Sequence, residues 1–104
     1  MALEHLNDSN FESAIANGVT IVDFWAQWCP PCMAFGPIFN AVAEKIPDVK
    51  FAKFEVVPTE RETPGKYGIR SIPSIMAFKD GELIEAKVGL MQPSEFEEWV
   101  IGIK

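Results

Sequence analysis

The feature that most constrains this chain is an apolar segment near its N-terminal end, Val19 to Trp28. It is rich in β-branched and aromatic residues, and apolar side chains stand on nearly consecutive positions rather than on alternate ones. A strand with this pattern is typically buried on both of its faces. The segment therefore predicts a central strand with helices packed on two sides, which is the arrangement of an α/β protein.

Length and composition are compatible with one such domain. The chain has 104 residues, of which 48% are hydrophobic and 23% are charged. A globule of this size buries roughly 60–70% of the surface of its unfolded chain, which is enough for one core. The composition excludes a disordered tail or linker. We expect residues 1–104 to form a single domain.

Helical and strand-like patterns surround the central strand. The predicted elements are a helix from Phe11 that ends at Gly18, a helix over Cys32–Ile46, strands over Val49–Val57, Ser74–Phe78 and Leu83–Val88, a short broken helix in 58–68, and a last helix opened by Pro93 and Ser94. Pro37 lies inside the second helix and should kink it. The order βαβ followed by ββα predicts a mixed sheet with helices on both faces.

The charge and the N-terminus restrict partners and location. Nine Lys and Arg residues against 15 Asp and Glu residues give a net charge of −6, which disfavours nucleic acids and anionic membranes as partners. No segment approaches 18 consecutive apolar residues, so we expect no membrane span. Residues 1–8 lack the basic and apolar regions of a signal peptide. We therefore expect Met1 to be the true start and the protein to be cytoplasmic; a secreted protein without its signal is the alternative.

Two cysteines, Cys29 and Cys32, stand where the apolar strand ends and the second helix begins. The free N–H groups and the positive dipole end of a helix N-terminus stabilise a thiolate, which is the nucleophile of thiol–disulfide exchange. Two intervening residues let the second sulfur reach the first. The spacing therefore predicts a site at which a mixed disulfide is resolved within the protein.

Both residues between the cysteines are prolines. Neither Pro30 nor Pro31 has an N–H group, so fewer backbone donors can face the sulfur of Cys29, although the N–H of Cys32 remains. The two prolines also stiffen the small ring that a disulfide would close. They are therefore candidates for tuning the redox properties of the site.

Two other uses of the cysteine pair stay open at this point. A purely structural disulfide would close a four-residue loop and contribute about 2 kcal/mol in the loop-entropy account. A zinc site needs four ligands, and one chain offers only Cys29, Cys32 and the distant His5, so such a site or an iron–sulfur site would have to be shared by two chains. We expect no metal, and we expect His5 at the surface or at a strand edge.

Two isolated charges interrupt apolar strands. Asp23 lies in the central strand, where burial would raise its pKa and make it a proton acceptor and donor near neutral pH. The alternative is an aspartate that points outward. Lys53 is a parallel case in the next predicted strand, and it either pairs with Asp23 or extends to solvent.

Several separated motifs together resemble the thioredoxin family. They occur in the family's order and extend from about Phe11 to the C-terminus. The matching residues are Val22-Asp23-Phe24-Trp25-Ala26, Trp28-Cys29 with Cys32, Pro37, Lys53, Lys66-Tyr67-Gly68-Ile69-Arg70-Ser71-Ile72-Pro73, Phe78-Lys79-Asp80-Gly81 and Val88-Gly89. The resemblance implies an α/β thioredoxin fold, in which four helices flank a five-stranded mixed sheet.

The resemblance also implies a role for each site residue. Cys29 would be the nucleophile and Cys32 the resolving thiol, with Asp23 relaying a proton for Cys32 and Lys53 beside it. Pro73 would be a cis proline, whereas the residues alone favour the trans bond. The flat apolar surface that receives a substrate strand would be formed by Trp28, Ile72, Pro73 and Gly89.

The activity implied by the resemblance is the reduction of protein disulfides by dithiol–disulfide exchange. Its partners would be disulfide-containing target proteins and an NADPH-dependent thioredoxin reductase that recharges the oxidised form. No cofactor is expected on this chain, and a monomer is expected. A more oxidising disulfide oxidase or isomerase and a docking module of the same fold stay open as alternatives.

The chain departs from the family's usual pattern at several positions. Pro30 replaces the glycine of the usual Trp-Cys-Gly-Pro-Cys motif, and Met33 stands where a lysine is common. Ser74 replaces a threonine, and residues 55–58 replace a strand end that usually carries an aspartate. The first two departures bear on the redox potential and on the docking of partners rather than on the fold.

Overall fold

The computed structural model describes residues 3–104 and contains one five-stranded sheet and four helices over that range. The strands are β1 (Glu4–Leu6), β2 (Val19–Trp25), β3 (Lys50–Glu55), β4 (Ser74–Lys79) and β5 (Glu82–Val88). The helices are α1 (Phe11–Ala14), α2 (Pro30–Lys45), α3 (Glu62–Lys66) and α4 (Pro93–Ile103). The predicted α/β fold is confirmed.

The sheet is mixed and has the order β1-β3-β2-β4-β5. Strand β3 pairs in parallel with β1 and β2, whereas β4 pairs antiparallel with β2 and β5. Among residues 3–104, no helix is both long and apolar enough to cross a membrane. The expectation that Met1 is the true start concerns a residue outside the described part of the chain.

The central strand β2 is buried on both faces, as the apolar segment predicts. Ile21 belongs to the core cluster that β2 shares with α2 and α4. Val22 and Phe24 belong to the cluster on the opposite face, together with Phe11 of α1. Because β2 lies between two strands and two apolar layers, its carboxyl end is held in a fixed position from which the chain enters α2.

Several element bounds differ from the sequence-based prediction, most clearly on either side of the cysteines. Strand β2 ends at Trp25 rather than Trp28, because the chain leaves the sheet before the cysteine turn. Helix α2 begins at Pro30 rather than Cys32, since prolines suit the first helical positions, where no N–H partner is needed. The periodicity does not locate β1, because this edge strand has three residues and only Leu6 is buried. Pro37 lies within α2 without ending it.

The turn between β4 and β5 follows the Asp-Gly prediction. Asp80 and Gly81 have φ values of 50° and 88°, which are the positive values that a tight two-residue hairpin needs. The side chain of Asp80 also accepts a 2.8 Å hydrogen bond from the N–H of Gly18. This hydrogen bond connects the hairpin turn to the residue that precedes β2, the neighbour of β4 in the sheet.

Helix α4 is held against α2 by an aromatic cluster centred on Phe96. The ring of Phe96 lies 5.0 Å from that of Phe35 and 5.6 Å from that of Phe39, both on α2, and 6.3 Å from that of Phe51 on β3. Aromatic pairs at these separations contribute about 0.5–1.5 kcal/mol each beyond their buried area. The cluster fixes the position of the helix that begins at the cysteines.

We expect Phe96→Ala to lower the free energy of unfolding by about 3–5 kcal/mol, because it removes a fully buried ring from a packed core. Ile101→Ala is the matched control on the same helix, since Ile101 is 51% exposed and should change the stability by less than about 0.5 kcal/mol. Urea unfolding of both variants measures the difference. Equal losses at the two positions would contradict this account of the core.

Candidate active site

The cysteine pair lies at the N-terminus of α2, just beyond the carboxyl end of β2. Cys29 is the residue that caps the helix, and Cys32 lies in its first turn. Their sulfur atoms are joined in a disulfide, with the two Cα atoms 5.2 Å apart. Both side chains are largely buried, and they pack with Ala26 and Ile72.

The backbone around the pair presents one N–H group to the sulfur of Cys29. The N–H of Cys32 donates to the Sγ atom of Cys29 over 3.2 Å. Pro30 and Pro31 occupy the first two helical positions and have no N–H to offer. The sulfur stands where a capping oxygen usually accepts from the first turn of a helix. Negative charge on this sulfur is therefore stabilised by one N–H group and by the helix dipole.

A loop that ends in a cis proline lies against the cysteine pair. The Ile72–Pro73 peptide bond is cis, in agreement with the family resemblance and against the trans bond favoured by the residues alone. The carbonyl oxygen of Ile72 lies 3.7 Å from the Sγ atom of Cys29. The carbonyl of Pro73 accepts a 2.8 Å hydrogen bond from the N–H of Gly89, which joins this loop to the end of β5.

Three large apolar side chains near the cysteine pair are exposed to solvent. Two of them flank the pair in sequence, and the third follows Gly89, which is hydrogen-bonded to the cis-proline loop. Trp28, immediately before Cys29, is 74% exposed. Met33 and Leu90 are also exposed. Sequence reasoning did not single out Leu90, because one apolar residue after a strand forms no pattern.

Asp23 is buried and points to the α2 side of the sheet. Its exposed fraction is 1%, so the outward-facing alternative is wrong. Burial removes water from the carboxylate and raises the pKa of Asp23 to about 7, with the positive charge of Lys53 partly opposing the rise. Neither carboxylate oxygen has a hydrogen-bond partner among residues 3–104. The group therefore changes its protonation state near neutral pH.

Lys53 lies beside Asp23 without bonding to it. The two residues are register partners on the parallel strands β3 and β2. The salt bridges formed within residues 3–104 do not include one between them. The Nζ atom of Lys53 instead lies 5.8 Å from the ring centroids of both Trp25 and Phe39, in cation–π range. Lys53 thus acts on Asp23 through space.

A cavity of about 300 Å³ brings Asp23 and Cys32 to one space. It lies between the sheet and α2, and its lining is completed by Trp25, Met33, Gly36, Pro37, Asn40 and Lys53. The space is large enough for water. Water in this cavity would be the link between the sulfur of Cys32 and the carboxylate of Asp23.

The remaining sequence candidate, His5, lies elsewhere. It is exposed on the edge strand β1, as expected. Within residues 3–104 no group of three His, Cys, Asp or Glu side chains is placed to hold a metal ion. The histidine and the cysteine pair do not form one cluster.

We expect Asp23→Asn to stabilise the protein at alkaline pH. A carboxyl whose pKa rises from 3.8 to about 7 on folding favours the folded state fully below pH 4, and this contribution is lost as the pH rises through 7. At pH 8 the variant should exceed the parent by up to roughly 4 kcal/mol in free energy of unfolding, and the gain should shrink towards pH 4.

Denaturant unfolding between pH 4 and 8 measures this difference. Asp48→Asn is the control, because Asp48 is exposed and paired with Lys104 at 2.8 Å. Equal free energies of unfolding for the parent and the Asp23→Asn variant at pH 8 would contradict the prediction, because they would show that the buried carboxylate does not destabilise the fold.

The geometry defines a class of protein. Exchange at a buried pair of cysteines moves two electrons between sulfur atoms, and a helix N-terminus stabilises the thiolate that starts it. A cysteine pair that forms an internal disulfide at a helix N-terminus is typical of a thiol–disulfide oxidoreductase.

Comparison with known proteins gives the family. The thioredoxin family model matches residues 2–101. A thioredoxin of Bacillus subtilis (strain 168) is 37% identical over 101 residues, which cover 96% of this chain and 96% of that protein. A thioredoxin of Rhodospirillum rubrum is 38% identical over 101 residues, covering 94% and 96%. One of Rickettsia prowazekii (strain Madrid E) is 38% identical over 101 residues, covering 94% and 95%. The chain belongs to the thioredoxin family and is a thiol–disulfide oxidoreductase.

Proposed function

We propose that the protein reduces disulfide bonds of target proteins, with Cys29 as the nucleophile and Cys32 as the resolving thiol. The observation that carries this assignment is the hydrogen bond that the N–H of Cys32 donates to the sulfur of Cys29 at the start of α2. This N–H group and the helix dipole stabilise a thiolate on Cys29. The exposed Trp28 beside Cys29 also supports attack at this end of the pair.

The proposed reaction has two exchange steps. The Cys29 thiolate attacks one sulfur of the target disulfide, a new S–S bond forms, and the other target sulfur leaves as a thiolate that takes a proton from solvent. Cys32 then gives its proton to Asp23, and its sulfur attacks the sulfur of Cys29. The bond between Cys29 and the target breaks, the second target sulfur leaves as a thiolate and is protonated in turn, and two electrons have passed to the target.

Asp23 is the proposed proton relay for the second step. Its pKa near 7 lets it accept a proton and release it again at neutral pH. The cavity that both Asp23 and Cys32 line supports this relay. Lys53 keeps the carboxylate available as a base, because its positive charge opposes the rise of the Asp23 pKa that burial causes.

The proposed surface for the target surrounds the disulfide. Trp28, Ile72, Pro73 and Gly89 would hold an extended segment of the target through apolar contact and backbone hydrogen bonds. Exposure of Trp28 and the position of Ile72 against the cysteines support this assignment. Pro30 and Pro31 would set the redox potential of the pair.

The proposal extends to the partner that recharges the protein, its location and its oligomeric state. The oxidised form would be recharged by an NADPH-dependent thioredoxin reductase, in the cytoplasm, and the chain would need no cofactor of its own. Residues 1–104 would act as one domain, and a monomer would carry every group that the reaction uses. The thioredoxin names of the relatives support this setting.

We expect Cys32→Ala to trap the mixed disulfide with target proteins, because the resolving thiol is absent. Non-reducing electrophoresis with mass spectrometry of the adducts measures the trapping. Cys29→Ala is the matched control and should trap nothing. Adducts of equal yield from both variants, or none from Cys32→Ala, would contradict the assigned order of attack.

We expect Pro31→Ala to raise the reduction potential of the pair. The substitution adds an N–H at the second helical position, where it can donate to the Cys29 thiolate and stabilise the reduced form. A hydrogen bond to a charged group contributes about 1.5–3 kcal/mol, which corresponds to roughly 30–65 mV for two electrons.

Equilibration with defined glutathione buffers measures this potential. Pro30→Ala is the matched control, because the N–H of the first helical position does not point at the capping sulfur and should give a smaller shift. A larger rise for Pro30→Ala than for Pro31→Ala would contradict this account of the missing donors.

A further inference from the structure

Three titratable side chains lie in one row across three neighbouring strands. On the adjacent strands β1, β3 and β2, His5 is the register partner of Lys53, and Lys53 is the register partner of Asp23. Register partners on parallel strands point to the same side of a sheet, which here is the side covered by α2. The row therefore leads from the buried Asp23 to the exposed His5 at the edge of the sheet.

Two cavities under α2 follow this row. The cavity of about 300 Å³ is lined by Asp23, Cys32, Lys53 and Asn40. A second cavity of about 690 Å³ is lined by Lys53, Asn40 and His5. Lys53 and Asn40 line both cavities. We call the two cavities together the groove; its lining extends from Cys32 to His5 on β1, and each cavity has room for water.

The groove extends across the strands, from β2 towards β1, and not along β2 towards the cysteine pair. The cysteines lie beyond the carboxyl end of β2, whereas the row crosses the sheet at Asp23, two residues before that end. In the proposed function, a target protein attached to Cys29 contacts Trp28, Ile72, Pro73 and Gly89. None of these four residues lines the cavity that includes His5.

We propose that His5 exchanges the proton of Asp23 with solvent through this groove while a target protein is attached to Cys29. The inference rests on the proposed function, in which Asp23 takes the proton of Cys32. The proton leaves the Sγ atom of Cys32, binds the carboxylate of Asp23, passes through water beside Lys53 to a ring nitrogen of His5, and goes from there to solvent. The electrons stay with the sulfur atoms throughout.

An imidazole ring suits a relay because it has two nitrogen atoms, one of which can accept a proton while the other donates one. His5 acts through Asp23 and touches no reacting sulfur, so it is a positioning residue. The other charged groups around the groove are Glu44 of α2, Asp48 and, on β1 and β3, Glu4 and Lys50. Asp48 pairs with Lys104, and Lys50 lies 3.8 Å from Glu4. Glu44 is therefore the rival proton acceptor that a test has to include.

The test is a single-turnover reaction of the reduced protein with a disulfide-bonded protein in excess, followed by tryptophan fluorescence. At high target concentration the rate reaches a plateau that reports the second step. We expect His5→Gln to lower this plateau at least threefold in weakly buffered solution near pH 7. The second-order rate of the first attack should not change, and added imidazole should restore the plateau because it fits the groove.

Controls separate this proposal from a structural effect and from the proposed role of Asp23. Glu44→Gln tests the rival acceptor in the same groove and should leave the plateau unchanged. An unchanged plateau in His5→Gln, a loss that imidazole does not restore, or a loss in Glu44→Gln instead would overturn the role of His5. Asp23→Asn should slow the plateau and abolish the imidazole effect. If Asp23→Asn leaves the plateau unchanged, the proposed relay by Asp23 fails, and the route through His5 fails with it.

Discussion

The burial of β2 on both faces is the constraint on which the rest of the molecule depends. It requires an apolar layer on each side, supplied on one side by the aromatic cluster around Phe96 and on the other by the cluster around Phe11. It also places the carboxyl end of the strand where α2 can begin. The same burial encloses Asp23 and moves its pKa towards neutrality. The packing that stabilises the fold therefore also produces the buried carboxyl that we propose as the proton acceptor, at a cost in stability above pH 7.

Much of the fold could be predicted from the residues. The apolar segment indicated a doubly covered strand, Asp80-Gly81 indicated a hairpin, and the cysteines indicated a helix N-terminus, because each feature has a local physical cause. Strand β1 could not be found, since one buried side chain, Leu6, makes no period. The ends of β2 and α2 depend on where the chain leaves the sheet, which tertiary packing decides.

The site was less accessible to residue-level reasoning. Whether Asp23 points inward depends on which layer covers each face of β2, and the residues alone left this open. The cis bond before Pro73 followed only from the family resemblance, because X–Pro bonds are mostly trans. The residues alone left open whether Lys53 pairs with Asp23 or reaches solvent. It is half-buried beside Asp23, with its Nζ atom in cation–π range of two aromatic rings. The groove arises from the strand order, which the chain's local patterns do not encode.

The two prolines at the start of α2 have a consequence for observing the protein in solution. Neither carries an amide hydrogen, so Cys32 contributes the first amide resonance of the helix. That same amide donates to the sulfur of Cys29. Its chemical shift and its rate of hydrogen exchange therefore follow the charge on the sulfur of Cys29, without a mutation. One backbone resonance thus acts as a built-in spectroscopic probe of the redox state of the whole molecule.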